Sequence, residues 1–416
     1  MAQLSSDAFA FDGGLMPIET ALALLAERIR PIEAVETVDL RGADGRILAA
    51  PVVAPINLPV FDNSAVDGYA VAHGDLAADG PTTLPVIGRV IAGAPADVAR
   101  RGVAVRIFTG APLPPGTDTV FMQEDVTLCD LDNVVLPPGL PPGANTRPAG
   151  EDIAVGAEAC PAGRRLTPRD VALLAALGID RVSVRRRLRV AVFSTGNELC
   201  DPGSVLPPAG IYDCNRYSLM AMLVRLGCVV TDLGILRDSR IETETALRQA
   251  ASSSDLVVTS GGVSTGDEDH VKAAIAKAGS LVFWRLAIKP GRPVAMGLID
   301  GTPLVGLPGN PVAVFITCAY VLRPFVLALS GGTVQSPVPA LVTSGFAYVK
   351  KAGRREYVRV TLDRRGASVV ADKYPVDGAG VLTSLTRTDG LVELPESMTR
   401  IEPGDPVAFF DYSQIF

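Results

Sequence analysis

The sequence predicts an α/β multidomain protein, in which a doubly wound, mostly parallel α/β domain accompanies two small β domains. Three observations predict it. Apolar strand-like runs alternate with helical patterns between residues 188 and 329. Short runs rich in Val, Thr, Gly and Pro fill residues 60–145, and short strand patterns return from about 333 onward. The chain has 416 residues, enough for roughly three domains at ~150 residues each. Its hydrophobic residues are 48% and its charged residues 20%, which excludes a disordered chain.

Each element has its own signal. Residues 16–30 place apolar side chains at helical spacing and stop before Pro31. Residues 46–60 read as extended, with several prolines. Runs at 84–90 and 102–108 mark strands of a small β domain, and the Pro/Gly-rich piece 136–148 is its exit linker. Residues 167–177 form a helix with Thr167 as N-cap and Pro168 at the first position. Strand 188–193, helix 215–226, strand 229–236, helix 241–251, strand 256–259 and helix 267–277 follow. Strand 281–288 and short strands at 294–298 and 303–307 lead to helix 310–329. Ligands of such a sheet sit at strand carboxyl ends. Strands at 340–343, 355–362, 367–371, 390–394 and 406–410 form a β-barrel-like end domain.

Composition removes several function classes. With 45 acidic against 38 basic residues the net charge is −7, which argues against nonspecific nucleic-acid binding. An anionic ligand must then be drawn by a local cationic cluster. Trp284 is the one tryptophan and aromatics are 5%, a poor base-stacking platform. The cysteines (Cys129, Cys160, Cys200, Cys214, Cys228, Cys318) lack CxxC spacing and read as free thiols in a reducing compartment. His73 and His270 are the only histidines, so neither a His-rich zinc site nor a Ser-His-Asp triad is expected. No signal-peptide pattern opens the chain, and the longest apolar stretch, 312–322, is too short to span a bilayer. No membrane association is expected, and the expected compartment is the cytoplasm.

Three loops leave strand ends with small residues. One is Ser194-Thr195-Gly196-Asn197-Glu198 and another is Pro308-Gly309-Asn310-Pro311. The third follows strand 256–259 and carries Gly261, Gly262, Ser264 and Gly266 before Asp267, Glu268 and Asp269. A glycine loop entering a helix cradles anions. Carboxylates in that mouth suggest a metal ion or a group to be oriented, while an acidic helix cap would look the same. Between the loops, Lys289 and Arg292 flank a Pro-Gly turn as a rigid fork suited to an oxyanion, which a solvated basic loop would also present. A second cluster, FDNSAVDGY at 61–69, holds tight-turn signals around Asp67, which a purely structural double turn would share.

In this order and spacing, FDNSAVDGYAV, RIFTGAPLP, MQE, GEDI, FSTGNEL, LRD, SGGVSTGDED, IKPGRPVAMG and GLPGNPV carry a resemblance. The chain resembles the molybdopterin molybdenumtransferase family, the MoeA type also seen as the E domain of gephyrin. The resemblance implies an enzyme that takes adenylylated molybdopterin and molybdate, cleaves the adenylate link in a Mg²⁺-dependent step, and releases AMP and molybdenum cofactor. It implies elongated homodimers of four-domain subunits: 1–58 with 146–185, 59–145, 186–331 of the molybdopterin-binding type, and 332–416. It places the cleft between the α/β domain of one subunit and the small β domain of the other. Molybdopterin adenylyltransferase and apo-molybdoenzymes become possible partners.

By the same resemblance Asp67, Glu198, Asp238 and Asp269 are catalytic, with Glu198, Asp238 and Asp269 either coordinating Mg²⁺ or orienting the pterin and the attacking oxygen. Lys289 and Arg292 hold molybdate or phosphate, and Thr109 lies beside Asp67. Ser194, Gly196, Gly261, Gly262 and Ser264 line the substrate; Pro308, Asn310 and Pro311 shape the floor; Arg359 adds an oxyanion contact. Ala379 stands where many relatives carry serine, and Arg292 where lysine also occurs. A noncatalytic scaffold would call for fused domains or a long linker, neither of which is seen. A generic nucleotide enzyme would call for a G-x-G-x-x-G or G-x-x-x-x-G-K-[ST] loop at a strand–helix junction, also not seen.

Overall fold

The computed structural model describes residues 14–130, 132–236, 240–261, 279–366 and 368–415. Its central sheet runs in the order Val229–Leu236, Arg189–Thr195, Leu256–Ser260, Thr302–Leu307, Pro293–Ile299, Gly279–Arg285. The first four strands are mutually parallel. The apolar runs of Arg189–Thr195, Leu256–Ser260 and Thr302–Leu307 reflect burial on both faces, while the edge strand Val229–Leu236 is partly exposed. Along Arg189–Thr195, Val190 and Val192 face helices Ile18–Arg28, Asn215–Arg225 and the 311–329 region. Ala191 and Phe193 face the opposite way, onto Leu247, Ala250 and Ala251 of helix Arg240–Ser253. That is the period-two alternation of a strand read out as two separate cores.

The sheet departs from a fully parallel one at its edge. Pro293–Ile299 pairs antiparallel with both Thr302–Leu307 and Gly279–Arg285. The cause is local: Asp300 (φ 47°) and Gly301 (φ 85°) form a two-residue turn, which can only reverse the chain. The expected strand 281–288 also divides, because Ile288–Lys289 leaves the sheet to pair in parallel with Arg355 and Glu356. Helix 267–277 lies outside the described residues.

Helix 310–329 is continuous but widens into a π turn at Cys318–Leu322. Pro324, one turn on, has no N–H to return to the preceding turn, and the wider turn accommodates it. This stretch is long and apolar enough to cross a bilayer, yet 78% of it is buried inside the protein, so it is a core helix.

The segments before and after the small β domain run side by side: Val35–Asp39 with Arg181–Arg185, Val52–Val53 with Glu158–Cys160, and Asn63–Ser64 with Thr146–Arg147. Helix Ile18–Arg28 does not join them; Ala21 and Leu25 pack into the α/β core instead. Helix Pro168–Ala176 starts as expected, with Asp170 accepting from the Thr167 amide and hydroxyl, both at 2.8 Å. At the C-terminal end five strands close into a barrel, since Arg355–Arg365 pairs with both Ser368–Lys373 and Gly390–Leu394. One face of its strands fills the barrel with Val358, Val392 and Phe409. The other face presents Tyr357, Leu391 and Phe410 to the α/β core, where Tyr320 and Tyr357 stack at 4.3 Å. This docking brings the strand carboxyl ends against the barrel.

Candidate active site

A cleft of ≈ 480 Å³ opens between those strand ends and the barrel. Its α/β side is Gly261 and the turn Pro308-Gly309-Asn310, and its barrel side runs from Tyr348 to Ala379. The floor is tied together by polar side chains. Ser260 Oγ donates to the Pro308 carbonyl at 3.0 Å, and Asn215 Nδ2 donates to Ser260 Oγ at 2.9 Å and to the Gly309 carbonyl at 2.7 Å. Gly261 has φ 82°, and a Cβ there would lie 2.6 Å from the Thr195 carbonyl oxygen. Only glycine lets these two strand ends approach so closely. Pro311 heads the next helix, and the Val312 amide donates to the Ala379 carbonyl at 3.0 Å, which fastens the barrel loop over the floor.

Lys289 stands at the junction of the two walls. Pairing of Ile288–Lys289 with the barrel sets it opposite Glu356, and its ammonium lies 3.2 Å from Glu356 Oε2 and 3.4 Å from the Tyr348 hydroxyl. Tyr348 donates to the same oxygen at 2.8 Å, while Arg354 Nε donates to Oε1 at 2.7 Å. Burial alone would raise the Glu356 carboxyl; hydrogen bonds from Tyr348 and Lys289, with the ammonium charge, outweigh it and hold the group below its ordinary range. Burial and the adjacent carboxylate push the Tyr348 phenol up. Gly291, with φ 108°, passes where a Cβ would sit 2.7 Å from Thr317 Cγ2.

Among the described residues, Lys289, Arg359 and Lys373 line the cleft together with Glu356 and Asp377: three cations and two carboxylates. This is the local positive excess that an acidic chain needs to hold an anion. Arg359 is buried, donating from Nε to Ser384 Oγ at 3.1 Å and from Nη2 to the Gly378 carbonyl at 3.2 Å. It therefore also braces the Gly378–Ala379 loop. Lys373 pairs with Asp377 at 2.8 Å.

The other expected residues lie elsewhere or outside the description. Ser194 is fully buried in its strand, because that strand runs on through Thr195. Gly196 and exposed Glu198 follow at the strand end without lining the cleft. Arg292 is exposed and outside it. Gly262, Ser264, Asp238 and Asp269 lie outside the described residues, and among those described no group of three acidic, histidine or cysteine side chains is gathered for a metal. Asp67 accepts from the Thr109 amide at 2.8 Å and its hydroxyl at 2.7 Å. Those bonds, with the charge of Arg106, hold its carboxyl below the ordinary range despite opposing desolvation. No described residue of 59–145 lines the cleft of its own chain.

Sequence reasoning missed Glu356, Tyr348 and Asn215. For Glu356 a signal of burial exists: at strand period it shares a face with Val358 and Val360, and an acidic side chain on an apolar face demands buried partners. It also missed Arg216, buried beside Asn215, which bonds Asp213 at 3.1 Å, Asp232 at 2.7 Å and Asp201, and so fixes the start of that helix.

Comparison with known proteins agrees over the whole architecture. Residues 16–178 match the MoeA N-terminal region (domain I and II), 191–328 a probable molybdopterin binding domain, and 342–412 the MoeA C-terminal region (domain IV). The chain is 36% identical to a molybdopterin molybdenumtransferase of Haemophilus influenzae, across 96% of this chain and 100% of that one. It is 34% identical to molybdopterin molybdenumtransferase 2 of Mycobacterium tuberculosis, across 94% of this chain and 98% of that one. The crystal structure of the molybdopterin biosynthesis MoeA protein from Pyrococcus horikoshii superposes with a TM-score of 0.81 at 29% identity, covering 96% of this chain and 100% of that one. The chain belongs to the molybdopterin molybdenumtransferase family, transferases of molybdenum cofactor biosynthesis.

Proposed function

We propose that this chain inserts molybdate into adenylylated molybdopterin and releases AMP and molybdenum cofactor. The observation that carries the reading is the cationic cleft at Lys289, built where a sheet of this kind binds its ligands, in a chain of net charge −7. In this reading Lys289 and Arg359 hold the tetrahedral oxyanion, Pro308 and Asn310 shape the floor, and Arg292 meets the outer phosphates. Loss of the serine hydroxyl at Ala379 leaves those cations with a larger share of the oxyanion contacts.

We further propose that the protein works as a cytoplasmic homodimer, with Asp67 and Thr109 reaching the cleft of the partner subunit. The absence of any described 59–145 residue from the cleft of its own chain supports this reading. Magnesium belongs to the same proposal. Glu198 is an exposed carboxylate at a strand end, and with Asp238 and Asp269 it would make an all-oxygen donor set of the chemistry that suits Mg²⁺. When bound, the ion offsets the repulsion between those carboxylates and phosphate. Molybdopterin adenylyltransferase would supply the substrate, and apo-molybdoenzymes would receive the product.

The test is reconstitution. The protein is incubated with adenylylated molybdopterin, Mg²⁺ and molybdate, and an apo-molybdoenzyme is added. Activation of that apo-enzyme together with AMP release is expected. A product that never activates it contradicts the reading.

A further inference from the structure

We infer that Glu356 is a positioning residue, which holds the Lys289 ammonium so that one N–H is left to meet a tetrahedral oxyanion in the cleft. The inference rests on the molybdate reading of that cleft. An ammonium carries three donors. Here one is taken by Glu356 Oε2 at 3.2 Å and a second by the Tyr348 oxygen at 3.4 Å. Lysine is otherwise a flexible point charge on a four-carbon stem, and this one is half exposed. The carboxylate that anchors it is not: its side chain is 2% exposed. It is anchored in turn by Arg354 on one oxygen and Tyr348 on the other. Backbone pairing of Lys289 with Glu356 adds a second constraint on the same two residues.

The charge sign makes this arrangement informative. A buried carboxylate beside an anion site opposes the anion by Coulomb repulsion. If only charge mattered, its removal would tighten binding. Positioning predicts the reverse, because a loosened ammonium must be ordered again when the anion arrives.

Inorganic molybdate alone is the probe, with binding to the full-length protein followed by calorimetry and unfolding followed in parallel. Glu356→Gln keeps the shape and an acceptor for Tyr348 but loses the charge. It is expected to weaken molybdate binding about tenfold, the size of one charge-assisted hydrogen bond. Glu356→Asp keeps the charge but withdraws it by one methylene, and should weaken binding as well. Equal or tighter binding by folded Glu356→Gln overturns the inference. Should that variant fail to fold, Tyr348→Phe, which removes one of the two anchors, is measured instead; a loss of about threefold is expected, and none overturns the inference. Wild-type protein that binds no molybdate defeats the functional reading instead. In that event the pair itself is judged by a double-mutant cycle of Lys289→Met and Glu356→Gln on unfolding, where zero coupling overturns the inference.

Discussion

Lys289 lies on a strand paired with the barrel and Asp67 in the turn before strand Gly68–Val71, and in each case the partners decide what the side chain can do. Lys289 shares a carboxylate and a phenol and keeps one face toward the cleft. Lys289→Met should raise the KM for molybdate about tenfold or more. Because the residue is half exposed, the thermal midpoint should stay within a few degrees. A large fall in stability with an unchanged KM would make Lys289 structural. Asp67 was legible in the sequence because its turn signals are local, and its bonds to Thr109 join two quoted motifs. The partners of Glu356 were not, because they come from residues 289, 348 and 354, and only the barrel's docking brings residue 289 to the other two.

At the scale of elements, the inner strands of the α/β sheet were legible because burial on both faces makes them continuous apolar runs. Their direction was legible only where a helix intervenes. The Asp300-Gly301 turn is the exception: two residues reverse the chain, and an Asp-Gly pair between apolar runs is itself a hairpin signal. The strand Leu256–Ser260 also depends on a clamp at its start. Asp255 accepts from Arg186 at 3.0 Å and from Arg189 at 2.9 Å, and takes the Arg189 amide at 2.8 Å. Burial would raise its carboxyl, but the Arg189 and Arg186 hydrogen bonds outweigh that and hold it low. A carboxyl depressed in the folded state contributes stability above its unfolded pKa of about 4, and loses that contribution as pH falls through the lower folded value. Asp255→Asn should therefore cost about 2 kcal/mol at neutral pH, discounted for the partly exposed arginines. The gap from wild type should close as the pH drops below about 4. Urea titrations at both pH values check it; a gap that stays constant with pH would contradict the clamp.

Across the whole molecule, the cleft exists because the barrel docks on the α/β core through Tyr357, Leu391 and Phe410. Neither domain alone has both its cations and its floor. The small β domain stays apart from it, and its place in catalysis rests on the proposed dimer. At molybdate well below the wild-type KM, where each variant alone keeps about a tenth of wild-type activity or less, mixing Asp67→Asn with Lys289→Met should regain about a quarter of it, since random exchange gives half heterodimers with one intact site each. A mixture no more active than its parts would contradict a shared site. The central claim, that the Lys289 cleft transfers molybdate with loss of AMP, is tested most directly by AMP release from adenylylated molybdopterin as molybdate is titrated, in wild type and Lys289→Met side by side. The account predicts release that rises with molybdate and saturates in wild type, with the curve moved to about tenfold higher molybdate or beyond in the variant. Release indifferent to molybdate, or identical curves for the two proteins, would contradict it.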